Sequence, residues 1–210
     1  LIEQLTEPLR DQVAVSYARQ LPREDCAPVE CYTRDFNYPA QSRIKSAEDL
    51  KTLGIKTFFC SNVCAAWRRE KYLELGGFVK HTIFNEDMIV AGTMIKQGGK
   101  IAYCAKAKVI HSHNYSAFQQ FHRNFDLAVS QTMYPEVFGG IRSESEGIKL
   151  VKKSLSYCIK IGKPWLMIQV VTQSAGKLLG YKMGQRYRSL PMWLILRCTM
   201  SPSFWRGGKA

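Results

Sequence analysis

The 210 residues are 46% hydrophobic and 22% charged, apolar enough to bury one full core, which excludes a disordered chain. The formal charge of +13 is lopsided: residues 1–150 carry 19 Lys and Arg against 17 Asp and Glu, whereas residues 151–210 carry 11 against none. Such a basic end meets anionic surfaces, and its longest apolar runs, "WLMIQVV" and "PMWLILRC", fall far short of a membrane-spanning helix.

In chain order, "LIEQLTEPLRDQ" reads as helix and residues 13–20, "VAVSYARQ", alternate as a strand does. A Pro- and charge-rich loop is expected through about residue 45. "SAEDLKTLGI" is a short helix with Ser46 at its N-cap and Gly54 at its end. "KTFFCSN" reads as a strand and "AAWRREKYLELGG" as a helix with Ala66, Tyr72, Leu73 and Leu75 facing inward. The next helix has Asn85 as N-cap, Glu86 and Asp87 in its first turn, Met88, Ile89, Met94 and Ile95 along one stripe, and Gly98 and Gly99 at its end. "KIAYC" and "AKVIHSH" read as two strands separated by a turn near Lys106, and a helix is expected from about Ala117 to Thr132. Strands and helices in alternation give an α/β layer. Beyond residue 147 the pattern is helical, with basic residues among large apolar ones, as an interfacial helix requires.

Two constellations suggest chemistry. A carboxylate at a helix N-terminus is held ionised by the dipole and the free N–H groups, and can serve as a general base; Glu86 and Asp87 are placed there. In a strand, His111 and His113 project to one face about 7 Å apart and can share a metal or a phosphate. Seven cysteines without a CxxC pair read as reduced cytosolic thiols. A zinc site from Cys60, Cys64, His111 and His113 is weak, because the cysteine spacing is wrong and no second paired knuckle exists. The sequence contains no DxD, GxGxxG or P-loop.

"KTFFCSNVCAAWRREKYLELGGF", "FNEDMIVAGTMIKQGGKIAYCAKAKVIHSHNYS" and "RNFD", with "YARQLP", "RDFNYP" and "LGYKMGQRYRSLP" around them, resemble in order and spacing the second half of bacterial family 2 glycosyltransferases. The closest likeness is to rhamnosyltransferase-type enzymes of cell-surface polysaccharide assembly. The resemblance implies a GT-A (Rossmann-like) fold, with residues 1–146 forming the carboxyl-terminal, acceptor side of the catalytic domain and residues 147–210 a basic amphipathic extension. It implies an inverting transfer from a nucleotide-sugar donor, dTDP-rhamnose being one candidate, to a lipid-linked oligosaccharide at the inner face of the cell membrane. Asp87 would then be the base, with Glu86 shaping the acceptor site. His111, with His113 second, would face a Mg²⁺ or Mn²⁺ ion or the diphosphate, and Arg123, following Gln120 at a QxxR spacing, would hold a phosphate. Arg19, Gln20, Ser61 and Asn62 would contact sugar hydroxyls. Asn124 stands where processive relatives have Trp, and "VKH" after Gly76, Gly77 and Phe78 replaces the usual acid. The donor-binding half with its DxD carboxylates would precede Leu1, so the 210 residues alone are expected to transfer little sugar. The competing expectation is a basic nucleic-acid module, with Lys177, Lys182, Arg186 and Arg188 on phosphates and Tyr181 and Tyr187 on bases. No recognisable nucleic-acid-binding signature supports it, and nucleic acid is not an expected partner.

Overall fold

The computed structural model describes residues 1–141 and 144–207. In chain order the elements are α1 (Ile2–Thr6), β1 (Val13–Leu21), α2 (Pro28–Asn37), β2 (Arg43–Lys45), α3 (Leu50–Leu53), β3 (Ala65–Trp67), α4 (Arg69–Glu74), α5 (Glu86–Lys96), β4 (Lys100–Ile110), α6 (Ala117–Met133), α7 (Pro135–Phe138), α8 (Glu144–Lys160), α9 (Leu166–Gln185), α10 (Met192–Cys198) and α11 (Pro202–Trp205). They form two compact units that interleave along the chain. The first takes residues 1–80, 86–114 and 137–150, and the second takes 81–85, 115–136 and 151–210.

The first unit is built on a four-stranded sheet of order β2-β4-β1-β3. The long strands β1 and β4 lie parallel at its centre, and the three-residue strands β2 and β3 run antiparallel on the edges. β1 is buried along nearly its whole length, the environment its run of Val, Ala and Tyr suits. One core cluster gathers Leu5, Val13, Ala18, Ala102, Cys104 and Ala107. Elsewhere in the unit the rings of Tyr17, Tyr38, Phe59 and Tyr103 pack together. α5 is buried on almost every side, and Gly98, at φ +86°, ends it while the Gly99 N–H donates to the Met94 carbonyl at 3.0 Å.

The second unit rests on α6 against α9. α6 opens with a reciprocal cap: the Gln119 N–H donates to Ser116 Oγ at 3.2 Å, and the Ser116 N–H donates to Gln119 Oε1 at 2.9 Å. On α9, Gly176, Gly180 and Gly184 lie directly over the carbonyls of Ala117, Phe121 and Phe125, so the helices run in the same direction with backbones in contact. Phe125, Val129, Ile195 and Cys198 form the core of this unit. Buried Asp126 accepts from the Thr199 hydroxyl at 2.6 Å and the Met200 N–H at 2.8 Å, a structural role for the acid of "RNFD".

Several sequence expectations are corrected. The loop before residue 45 contains α2, started by Pro28 in its first turn. "KTFFCSN" is a 3₁₀ turn (Gly54–Phe58) followed by irregular chain, and Ala66 lies in β3 before the shorter helix α4, on which Leu73 is exposed. "KIAYC" and the "AKVI" of "AKVIHSH" are one strand, in which the turn expected at Lys106 is a register shift against β1. Asn85, expected as a cap, is buried at φ +63° with its side-chain amide on the Leu127 carbonyl at 3.5 Å. The last three residues of the expected 147–210 extension lie outside the described residues.

Candidate active site

Four segments of the first unit converge: the end of β1, the middle of α2, the chain after the 3₁₀ turn, and the first turn of α5. Asp87 Oδ2 accepts the Asn62 backbone N–H at 3.1 Å, and Oδ1 accepts the Met88 N–H at 2.7 Å. Beside it, Glu86 Oε1 accepts from the Asn62 amide at 3.3 Å. The helix N-terminus does not decide the Asp87 proton affinity. Burial pushes its carboxyl up to about 6, with the nearby Glu86 charge adding to the rise, while the Asn62 and Met88 N–H groups act against it. This corrects the expectation of a carboxylate held firmly ionised. A carboxyl near 6 is mostly ionised at pH 7 and is a stronger base than an ordinary aspartate.

Ser61, next to Asn62, is reached from behind by a polar relay. Gln20 Nε2 donates to Ser61 Oγ at 2.7 Å, Arg34 Nη1 donates to Gln20 Oε1 at 2.6 Å, and Arg34 Nη2 donates to Glu30 Oε1 at 2.7 Å. Gln20 is 3% exposed, so its amide has no freedom to turn away. The Arg34 guanidinium also lies 5.6 Å over the ring of Tyr38. Burial pushes the Tyr38 hydroxyl up to about 12; hydrogen bonding with Ser61 and Arg34 acts against that rise, and the Asp87 charge adds to it. The site thus has a polar wall (Gln20, Ser61, Asn62 and Tyr38) beside a raised carboxylate, which suits binding a hydroxylated ligand and removing a proton from it.

Glu86, Asp87, Asn62, Ser61 and Gln20 therefore lie together in the first unit. Arg19 is half-buried and faces Asp35 at 3.6 Å. His111 and His113 lie just past the end of β4 rather than in it, and their Nε2 atoms are 3.0 Å apart instead of the strand spacing of about 7 Å. That segment is tied to the loop after β1, where Ser112 Oγ accepts the Arg23 N–H at 3.1 Å and Asn114 Oδ1 accepts the Ala27 N–H at 3.0 Å. Among the described residues no group of three or more His, Cys, Asp or Glu side chains could hold a metal, so the zinc set is not assembled. The two imidazoles offer at most a pair of nitrogens, a poor match to Mg²⁺, which prefers oxygen ligands. Gln120 and Arg123 lie on α6 in the second unit, Gln120 buried and Arg123 with its guanidinium 4.6 Å over Phe84 and 5.7 Å over Tyr115.

Sequence reading missed Glu30, Arg34 and Tyr38. The signal was there: Pro28 at a helix start, Glu30 and Arg34 four apart, and Val29 as the single apolar anchor. It was masked by the surrounding prolines and charges.

Comparison with known proteins follows the same direction. The O-antigen chain rhamnosyltransferase WbaN of Salmonella anatum is 44% identical over 196 residues, 92% of this chain and 61% of WbaN. The O-antigen chain rhamnosyltransferase RfbN of Salmonella typhimurium is 41% identical over 208 residues, 98% of this chain and 64% of RfbN. Over nearly its whole length the chain is similar to these two rhamnosyltransferases. It spans about three-fifths of the length of these two relatives. No family model matches the sequence, and no solved structure matches it.

Proposed function

We propose that this chain is the acceptor-side portion of an inverting, family 2 glycosyltransferase of GT-A fold, moving rhamnose from a nucleotide-activated donor, dTDP-rhamnose being one candidate, to a growing cell-surface polysaccharide. The observation that carries this reading is the Asp87 carboxyl, raised to about 6 and aimed by the Asn62 N–H beside a wall of hydrogen-bonding side chains.

In this scheme the acceptor hydroxyl lies against Asp87, with Ser61 and Asn62 lining its sugar ring, Gln20 holding Ser61 from behind and Glu86 fixing Asn62. Asp87 takes the hydroxyl proton as the acceptor oxygen forms its bond to the anomeric carbon. The bond from that carbon to the nucleoside diphosphate breaks on the opposite face, so the configuration inverts. Arg19 lines the acceptor cleft, and Arg123, which follows Gln120 at the QxxR spacing, holds a phosphate. A divalent cation would neutralise charge on the leaving diphosphate. The His111–His113 pair would offer it two nitrogen ligands. The acceptor is carried on a lipid at the cytoplasmic face of the membrane, a location the acid-free basic stretch 151–210 supports through its charge.

The test is sugar transfer by the full-length protein to membrane extract, using a panel of labelled nucleotide sugars, native against Asp87→Asn. One donor consumed, with a loss of about a hundredfold or more in the variant, is expected from removal of a general base. Equal rates for the two proteins overturn the role of Asp87, and consumption of no donor overturns the transferase reading.

A further inference from the structure

α9 is apolar on two sides. One side, through Gly176, Gly180 and Gly184, is pressed against the α6 backbone. The other side leaves Trp165 just before the helix 63% exposed, then Ile168 71%, Val171 53%, Leu178 55% and Leu179 59% exposed within the same unit. At helical spacing they fall on one broad face that runs about 21 Å along the helix, with Leu178 and Leu179 side by side across its width. A helix apolar all round belongs in a core or in lipid, and large apolar patches left open on a soluble protein mark binding surfaces.

Charge distinguishes the occupant. No residue from Pro164 to Gly176 is charged; Lys177 falls within the span of the face, and further basic residues bracket it, with Lys160 and Lys163 before it and Lys182, Arg186 and Arg188 beyond its far end. Residues 151–210 contain no acid at all. An apolar strip with cationic ends and no carboxylate is the pattern of a helix lying in a headgroup region, its side chains entering the acyl boundary while Lys and Arg reach anionic phosphates. Met192 and Trp193 of α10, 51% and 60% exposed, and Ile159 of α8, 63% exposed, add apolar side chains in the same unit. No helix among the described residues is long and apolar enough to cross a membrane, so α9 would lie along the surface.

We propose that the outward face of α9, formed by Trp165, Ile168, Val171, Leu178 and Leu179, docks the protein flat on an anionic phospholipid bilayer. Lipid binding is read out without any substrate, so its failure leaves the sugar-transfer chemistry standing, and the reverse holds as well.

The experiment is cosedimentation of the full-length protein with vesicles of phosphatidylcholine containing about a third phosphatidylglycerol, against phosphatidylcholine alone. Native protein is compared with the Ile168→Asp/Leu179→Asp double variant. The native protein is expected to bind the anionic vesicles, and the double variant to bind at least about tenfold more weakly, since burying one such side chain is worth about tenfold in affinity. An independent arm uses a protein whose only tryptophan is Trp165, every other tryptophan being replaced by Phe. Brominated lipid should quench its emission, and this needs no destabilising charge on the face. Native-like vesicle binding by a folded double variant, or absence of quenching, overturns the proposal. So does binding to RNA or DNA in preference to vesicles at moderate salt. A dimer in solution that ignores vesicles and is broken by the double substitution assigns the face to a second copy of the chain instead.

Discussion

Replacing Gly180 with alanine tests the contact between α6 and α9. The new Cβ would stand 2.1 Å from the Phe121 carbonyl oxygen and 2.9 Å from its carbon. Both atoms are backbone, so no side chain can swing aside, and α9 must move outward by roughly 1 Å to restore ordinary contact. Overpacking against backbone that cannot yield falls in the upper part of the usual range, about 2–3 kcal/mol. Alanine returns up to about 1 kcal/mol as the better helix former, leaving a net loss of about 1–2 kcal/mol. For a chain of this size that is a fall of about 2–8 °C in Tm. The internal control is Gly147→Ala in α8, where nothing lies within 4 Å of the added Cβ and only the helix-propensity gain, about 0.5–1 kcal/mol, remains. Urea and thermal unfolding of the two variants beside the native protein should therefore give shifts of opposite sign. A Gly180→Ala protein as stable as the native one would mean that these helix backbones do not touch in solution.

Four further outcomes follow from the first unit. The transfer rate should rise with pH through about 6 as Asp87 loses its proton and then level off. Because its folded-state pKa lies above the unfolded value of 3.8, the carboxylate weakens the fold as pH rises between the two, so Asp87→Asn should gain up to about 3 kcal/mol at pH 7 in urea unfolding. Lys45 is 4% exposed, donates to the Lys56 carbonyl at 3.1 Å and to the Phe59 carbonyl, and lies 5.0 Å over the Tyr17 ring. Burial lowers its pKa to about 7 from 10.5, so the folded state sheds a proton that the unfolded chain keeps, and stability should climb between pH 7 and 8.5; Lys45→Met should flatten that climb. Arg34→Lys cannot reach Gln20 and Glu30 together, so acceptor KM should rise on the order of tenfold with a smaller change in kcat, and equal change in both would deny Arg34 a positioning role.

Periodicity carried information wherever an element was long. β1, α5, α6 and the helical end each pair a clear repeat with a recognisable start or stop, such as Ser116 before α6 and Gly98 after α5. Short elements depended on neighbours the sequence does not display. β3 is three residues whose identity as strand comes from pairing with β1, and alone it looks like the opening of a helix. The aromatic run at Thr57–Phe59 carries strand propensity, yet tertiary burial holds Thr57 and Phe58 in a 3₁₀ turn. At the site, Glu86 and Asp87 stood out through their position at a helix start. The relay behind Ser61 did not, because hydrogen bonds between residues 20, 34 and 61 are a property of the sheet order and have no local pattern.

The central pairing of β1 with β4 joins Val15 to Ile101, 86 positions apart in the chain. Loop closure of that length is slow compared with helix formation, so α5, α6 and α9 are expected to acquire structure before the sheet does. On the ribosome, Gln20 and Ser61 emerge long before β4 is available to fix the strand that carries Gln20. The nascent chain therefore holds β1, with its nearly continuous apolar surface, unpaired on one side through the synthesis of some eighty residues, during which a chaperone or the residues ahead of it in the nascent chain must shield that edge.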